Sequence, residues 1–230
     1  MNLASRIVFK IRRGGIKGFF RYLPHWAAEH YYEWRFGIDT AGYLGLKETG
    51  LDGLTELSGA YEPVPYLSLL KALRQIPIRA GHDIFLDYGS GKGRAVIVAA
   101  ASFPFKKVIG VELSPRLTTV ARENVRRASS LFGDTEVELL CADARYYHLP
   151  DEVSVVFLYG PFFGEPMRVV VKQIEDSLQR VPRQFSVIYR YPDWTDDPFA
   201  KHNAFEMAWE YRGYSEAGER IRIYQCCSVR

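Results

Sequence analysis

The chain has 230 residues, of which 47% are hydrophobic and 25% charged, with 30 basic and 27 acidic side chains. This composition is typical of a folded globular protein and excludes a disordered, fibrous or solenoid chain. The longest apolar runs fall short of the roughly 20 residues that a membrane-spanning helix needs. The chain also opens without a signal-peptide pattern, so we expect a cytoplasmic protein made of one domain and an extension.

Residues 1–55 form the predicted extension, and they are basic at the start and rich in aromatic residues throughout. Leu3, Ile7, Val8 and Ile11 recur at helical spacing, which predicts a short amphipathic helix. Six basic residues precede the first acidic one, Glu29, and they are Arg6, Lys10, Arg12, Arg13, Lys17 and Arg21. Such a helix suits an anionic membrane surface, nucleic acid or an acidic partner, whereas a packed helix with a solvated basic face is the simpler alternative.

The aromatic content of the extension is too high for a solvated tail. We therefore expect much of the extension to pack on the main domain, over its ligand cleft. The residues concerned are Phe19, Phe20, Tyr22, Trp26, Tyr31, Tyr32, Trp34 and Phe36.

From Tyr61 onward, helix and strand patterns alternate, which predicts a parallel sheet covered on both faces. The tail instead has two strand-like runs around residues 213–219, which predicts an antiparallel hairpin. We predict an α/β fold: a doubly wound, mostly parallel seven-stranded sheet over 56–230 that ends in an antiparallel hairpin, with a basic helical N-terminal extension. The predicted strands are 84–87, 107–112, 137–142, 153–159, 185–191, 205–211 and 220–229.

The first predicted strand runs into three alternate glycines and then into a helix. Gly89, Gly91 and Gly93 lack a Cβ and tolerate positive φ, so a ligand can lie against the backbone of the turn. The second strand ends at Glu112, nineteen residues after Gly93, where a carboxylate can accept hydrogen bonds from ribose hydroxyls in a doubly wound fold. Both features predict an adenosine-containing cofactor.

The glycine spacing separates this turn from other nucleotide-binding turns. It lacks the longer gap of the dinucleotide fingerprint, which disfavours NAD and FAD and hence an NAD-dependent oxidoreductase. A Walker loop is excluded because Gly91 and Lys92 are followed by Gly93 rather than by serine or threonine. The pattern Asp87-x-Gly89-x-Gly91-x-Gly93 resembles the first motif of class I S-adenosylmethionine-dependent methyltransferases, and the likeness covers about residues 58–230.

That resemblance implies S-adenosyl-L-methionine as the cofactor and assigns residues to it. The backbone of the turn, including Ser90, would approach the methionyl and ribose parts, and Asp87 would fix the turn and meet the ammonium group. Glu112 would accept from the ribose hydroxyls, and Asp143 from the adenine amino group. Flanking the ring would be Leu113 and Ala144.

Two further segments concern the methyl acceptor. Tyr61-Glu-Pro resembles the Tyr-x-Pro segment of Dot1-like and related lysine methyltransferases, which makes Tyr61 a candidate contact at the methionine end. Two prolines that begin a helix are an equally simple explanation. The segment 157–163 resembles the Asn/Asp-Pro-Pro-Tyr/Phe signature of amino-group methyltransferases, which makes Tyr159, Pro161 and Phe162 the candidate catalytic residues, although Gly160 stands where that family has Asn or Asp.

The sequence therefore predicts methyl transfer to an amine of a protein or small molecule, with an oxygen acceptor as the alternative. A non-catalytic cofactor-binding module that docks on RNA or membrane is a third possibility. Tyr191, Asp193 and Trp194 are plausible walls of the cleft. No metal is expected, because the three cysteines lack metal-ligand spacing.

Overall fold

The computed structural model describes residues 20, 22–51, 60–191, 197–212 and 220–226. Its strands are β1 (Ile84–Tyr88), β2 (Lys107–Glu112), β3 (Glu136–Cys141), β4 (Val153–Leu158), β5 (Ser186–Tyr191), β6 (Phe205–Arg212) and β7 (Arg220–Cys226). Its helices are α1 (22–36), α2 (Leu46–Thr49), α3 (Tyr66–Leu73), α4 (Arg94–Ser102), α5 (Pro115–Ala128) and α6 (Glu165–Arg180), and a 3₁₀ turn covers Ser129–Leu131.

The seven strands form one sheet in the order β3-β2-β1-β4-β5-β7-β6. Strands β1 to β5 pair in parallel, while β7 runs antiparallel between β5 and β6. The predicted fold class is confirmed, and the observed strand ends lie within a few residues of the predicted ones. The predicted helix near the N-terminus and the turn of the hairpin lie outside the described residues.

The centre of the sheet is covered on both faces, since every residue of β1 and β4 is buried. Helix α4 packs close to β2 because Gly110 leaves room for it. A Cβ on Gly110 would lie only 2.9 Å from Cγ2 of Val96 and 2.8 Å from Cδ2 of Leu139. This close packing fixes the start of α4, which follows the glycine turn.

Helix α1 packs on the domain through one of its sides. Tyr32 and Phe36 stack near Tyr66 of α3, as expected for an extension that packs on the main domain. Tyr31 and Trp34 are instead exposed, so these two aromatic residues do not share in that packing. Among the described residues, no helix has the length and apolar content needed to cross a bilayer.

Candidate functional site

A cleft opens at the carboxyl ends of β1 and β4, where the strand order reverses. This is the position at which open α/β sheets bind ligands. All the predicted site residues except Gly93 line it. The structure therefore brings together side chains that lie up to about a hundred residues apart in sequence, and these are Tyr61, Asp87, Gly89, Ser90, Gly91, Glu112, Leu113, Asp143, Ala144, Tyr159, Pro161 and Phe162.

The glycine turn has left-handed backbone at all three glycines, with φ of +78° at Gly89, +55° at Gly91 and +87° at Gly93. Two of them are in tight contact with the walls of the cleft. A Cβ on Gly91 would lie 2.7 Å from Cδ2 of Tyr61, and one on Gly89 would lie within 3.3 Å of the Pro161 backbone. The absence of side chains therefore lets Tyr61 and Pro161 close on the turn from two directions.

Gly93 has a different place, because it caps the N-terminus of α4 and does not line the cleft. A Cβ there would lie 3.3 Å from the Cβ of Ala121 on α5. The cofactor contact of Gly93 stays a prediction, and the close approach of α5 gives a separate physical reason for glycine at this position.

Glu112 holds the turn to the end of β2. One carboxylate oxygen accepts from the backbone N–H of Gly91 at 2.8 Å, and the other accepts from the N–H of Ser114 at 2.8 Å. Each oxygen keeps a second lone pair, so a ribose hydroxyl can still donate to it. Because Glu112 lines the cleft, it combines this observed structural role with the predicted ribose contact.

Asp87 is a buried carboxyl group at the base of the cleft. Burial raises the pKa of Asp87 well above its usual range, and the nearby Glu112 raises it further. The pKa of Glu112 is also raised by burial, although hydrogen bonds from Ser114 and Gly91 oppose that effect. A positively charged ligand group would offset the free-energy cost of ionising these two buried carboxyl groups, and the ammonium of S-adenosylmethionine is such a group.

The predicted adenine end of the cleft contains an ion pair. Arg145 donates to Asp143 through Nη2 at 2.7 Å and through Nε at 3.1 Å. These hydrogen bonds hold the pKa of the Asp143 carboxyl below its usual value. An adenine amino group would therefore share Asp143 with Arg145, while Leu113 and Ala144 supply apolar surface beside it.

At the end of β4, the three candidate catalytic residues differ in exposure. Tyr159 stacks on Phe157 with ring centroids 6.1 Å apart, and Pro161 packs on Gly89. Phe162 is buried with its edge toward Tyr88, so its ring belongs partly to the core. Of the predicted cleft-wall residues, the side chain of Tyr191 and all of Asp193 and Trp194 lie outside the described part of the chain.

Sequence reasoning missed four contributors to the cleft or its rim. Thr49 and Leu51 come from the extension and line the cleft, as does Arg94. Arg190 of β5 sits behind Gly160, where a Cβ would lie 3.1 Å from Nη1 of the arginine. The one sequence signal for Arg190 was its position at the carboxyl end of a predicted strand.

The donors in the cleft also bear on metal binding. No group of three or more potential metal ligands occurs among the residues that the structure describes. The cleft instead offers buried acids, backbone groups and apolar surface, which are the groups that bind a nucleoside with a cationic tail.

Comparison with known proteins gives a family match in the centre of the chain. Residues 85–183 match the family model described as "Methyltransferase domain". Trans-aconitate 2-methyltransferase from Methylobacterium radiotolerans is 30% identical over 115 residues, which cover 46% of this chain and 43% of that protein. The chain thus matches less than half the length of this relative.

Solved structures show the fold. An RNA methyltransferase from Salinibacter ruber, in complex with S-adenosyl-L-homocysteine, has a TM-score of 0.52 at 20% identity, and the match covers 74% of this chain and 96% of that one. Precorrin-6y C5,15-methyltransferase from Geobacter metallireducens has a TM-score of 0.53 at 17% identity, with coverage of 72% and 90%.

Proposed function

We propose that the chain carries a class I S-adenosylmethionine-dependent methyltransferase domain and that it transfers a methyl group from S-adenosylmethionine to an acceptor bound beside Tyr159 and Gly160. The observation that carries the proposal is the convergence of the predicted residues on one cleft at the strand-order reversal. The narrower likeness to Dot1-like lysine methyltransferases stays a prediction.

Bound S-adenosylmethionine would supply a methyl group activated by a sulfonium. The chain's own residues would then act mainly by position, because in-line methyl transfer depends on holding the acceptor close to the methyl carbon. Tyr61 is suited to this, since its ring lies on the glycine turn and its hydroxyl donates to the carbonyl of Thr40 at 2.6 Å. Pro161 fixes the opposite side of the turn.

The surroundings of Gly160 favour an oxygen acceptor over the amine. The guanidinium of Arg190 lies 5.0 Å from the centroid of the Tyr159 ring, and its side chain is 17% exposed. Glu62 lies 3.7 Å away at a loose ion-pair distance, and Arg190 Nε has no hydrogen-bond partner among the described residues. A cation with unused donors repels an ammonium and binds a carboxylate, so we propose an acceptor that carries a carboxylate.

Replacing Arg190 tests the charge of the acceptor. With trans-aconitate as the probe, since it is the polycarboxylate in the relative's name, we expect Arg190→Gln to raise KM about 10- to 100-fold, because a charge-assisted hydrogen bond contributes about 1.5–3 kcal/mol. Arg190→Lys should recover part of the loss. A lysine-containing peptide is the matched amine probe: if it is methylated, and faster by Arg190→Gln than by the parent protein, the carboxylate proposal is wrong and the amine prediction stands.

Glu112 offers a test of the proposed ribose contact. Glu112→Ala should weaken binding of S-adenosylhomocysteine by about 1–3 kcal/mol, because a buried hydrogen-bonding group is lost. For an analogue without the two ribose hydroxyls, the same substitution should cost about 1 kcal/mol less binding free energy, since this ligand makes no hydrogen bond to Glu112. Calorimetric titration of both ligands measures the difference, with the exposed Glu123→Ala as the control. Equal losses for the two ligands would mean that Glu112 acts only through the glycine turn.

Methyl transfer itself is tested with purified protein, methyl-labelled cofactor and an extract from cells that lack the protein. We expect label in a small acidic product that anion exchange retains. Binding of S-adenosylhomocysteine without any labelled product would favour a non-catalytic module. We also propose that the extension ends at residue 55, that the domain begins at residue 56 and that the protein is cytoplasmic. The extension is proposed to bind an anionic or acidic partner.

A further inference from the structure

Helix α1 faces the domain with its acidic side chains. Glu29 accepts from Nη1 of Arg94 at 2.6 Å and from the backbone N–H of Tyr66 at 3.0 Å. Glu33 accepts from Nη2 of Arg94 at 2.9 Å and from the hydroxyl of Tyr66 at 2.9 Å. Both acids of the helix are therefore held against α3 and α4.

The opposite side of the helix is apolar and faces solvent. Positions 20, 23, 27, 31 and 34 recur at the spacing of one helical face, and all five residues are exposed. Of the eight large hydrophobic side chains exposed among the described residues, four lie here: Phe20 at 64%, Leu23 at 40%, Tyr31 at 52% and Trp34 at 76%. This stripe is a second one, because the side of α1 that faces the domain also carries apolar residues, Ala28, Tyr32 and Phe36, which pack into the core.

The sequence that leads into this helix is basic. The chain before Glu29 contains six basic residues and no acidic one, and Arg35 is exposed beside Trp34. Because Glu29 and Glu33 are turned toward Arg94, the helix presents little negative charge to solvent. Exposed apolar side chains and a basic sequence thus occur together in one short stretch of chain.

This combination fits the surface of an anionic bilayer. Aromatic side chains such as tryptophan and tyrosine are enriched at the level of the lipid headgroups, and leucine is buried just below it. Lysine and arginine are attracted to anionic headgroups. Single-stranded RNA would use stacking aromatics, but it gains nothing from Leu23 and Ala27 between them.

We propose that α1 docks the protein on an anionic lipid bilayer, with Leu23, Tyr31 and Trp34 at the headgroup boundary, and that the basic sequence before Glu29 favours anionic over neutral lipid. The helix lies on the bilayer and does not span it. Arg94 connects α1 directly to the cofactor cleft, so docking brings the cleft close to the membrane surface. This inference rests on the outward face alone and is independent of methyl transfer.

The experiment is sedimentation of the full chain with lipid vesicles. We expect binding to phosphatidylcholine vesicles that contain phosphatidylglycerol, and little binding to phosphatidylcholine alone. The double variant Leu23→Gln/Trp34→Gln should lower the partition coefficient at least about tenfold, because two apolar anchors are lost. Neutralising Arg12 or Arg13 should lower it about fivefold for each charge.

A matched control removes the same kind of surface elsewhere. Val181 and Met207 are exposed apolar residues on other parts of the domain, so Val181→Gln/Met207→Gln should bind vesicles like the parent protein. Both double variants should bind S-adenosylhomocysteine as the parent does, which shows that the domain is folded. The proposal is overturned if the protein does not bind anionic vesicles or binds neutral ones equally well. It is also overturned if the two double variants lose the same amount of vesicle binding. Binding of a polyuridylate oligonucleotide that requires Trp34, without binding to vesicles, would indicate RNA instead.

Discussion

Replacing Gly91 by valine should weaken S-adenosylhomocysteine binding at least about 100-fold, or roughly 2.7 kcal/mol. Two physical effects act together. Gly91 has a φ of +55°, a conformation that costs a residue with a Cβ about 1–2 kcal/mol. The new Cβ would also lie 2.7 Å from Cδ2 of Tyr61, whose hydroxyl is held by the Thr40 carbonyl, so the turn or the ring must move.

The control for this variant separates backbone strain from the clash. Gly133 has nearly the same φ, +58°, but nothing lies within 4 Å of the position that a Cβ would take there, and it is not one of the residues that line the cleft. Gly133→Val should therefore lower the free energy of unfolding by about 1–2 kcal/mol and leave ligand affinity unchanged. Calorimetry on both variants, after circular dichroism has shown that each is folded, measures the contrast. Parent-like affinity of Gly91→Val would refute the assigned site.

Replacing Arg94 by methionine should lower the free energy of unfolding by about 3 kcal/mol, because breaking a buried ion pair leaves its partners without compensation. Arg94 is 3% exposed and serves three parts of the chain. It pairs with Glu29 and Glu33 of α1, and it donates to the carbonyl of Val64 at 2.9 Å and to the hydroxyl of Thr40 at 2.7 Å.

Urea denaturation followed by circular dichroism measures this loss. Arg126→Met is the matched control, because Arg126 is 72% exposed and pairs with Glu123 within one helix. Removing such a surface pair should change the free energy of unfolding by less than about 0.5 kcal/mol. Arg94→Met should also weaken ligand binding, since Arg94 lines the cleft. Similar stabilities of the two variants would mean that Arg94 does not join α1 to the domain.

The sheet and the centre of the cleft were predictable because local sequence determines them. Buried strands are apolar runs in the sequence, and the turn has positive φ at Gly89, Gly91 and Gly93, which favours glycine at those three positions. Glu112 was predictable for a related reason, since the end of the neighbouring strand must face the turn. The hydrogen bond from the Gly91 N–H to Glu112 was not predicted, because a sequence does not show which of several nearby donors a carboxylate accepts from.

The parts that escaped prediction depend on long-range contacts. Arg94 bonds to Glu29 and Glu33, which lie 65 and 61 residues away, and no periodicity links them. The same contacts orient α1, because a buried arginine needs acidic partners and both acids of α1 lie on the side that faces Arg94. Arg190 was missed because its place in the site depends on Gly160, which follows the neighbouring strand β4 and whose missing side chain leaves room for the guanidinium.

The most direct test of the account is a crystal structure of the protein with S-adenosylhomocysteine. We expect the adenine between Leu113 and Ala144, the ribose hydroxyls at Glu112 and the amino group at Asp87, with Tyr61 against Gly91 as it is here. Ligand bound elsewhere, or a glycine turn that stays empty at saturating ligand, would contradict the assignment of this cleft as the methyl-transfer site.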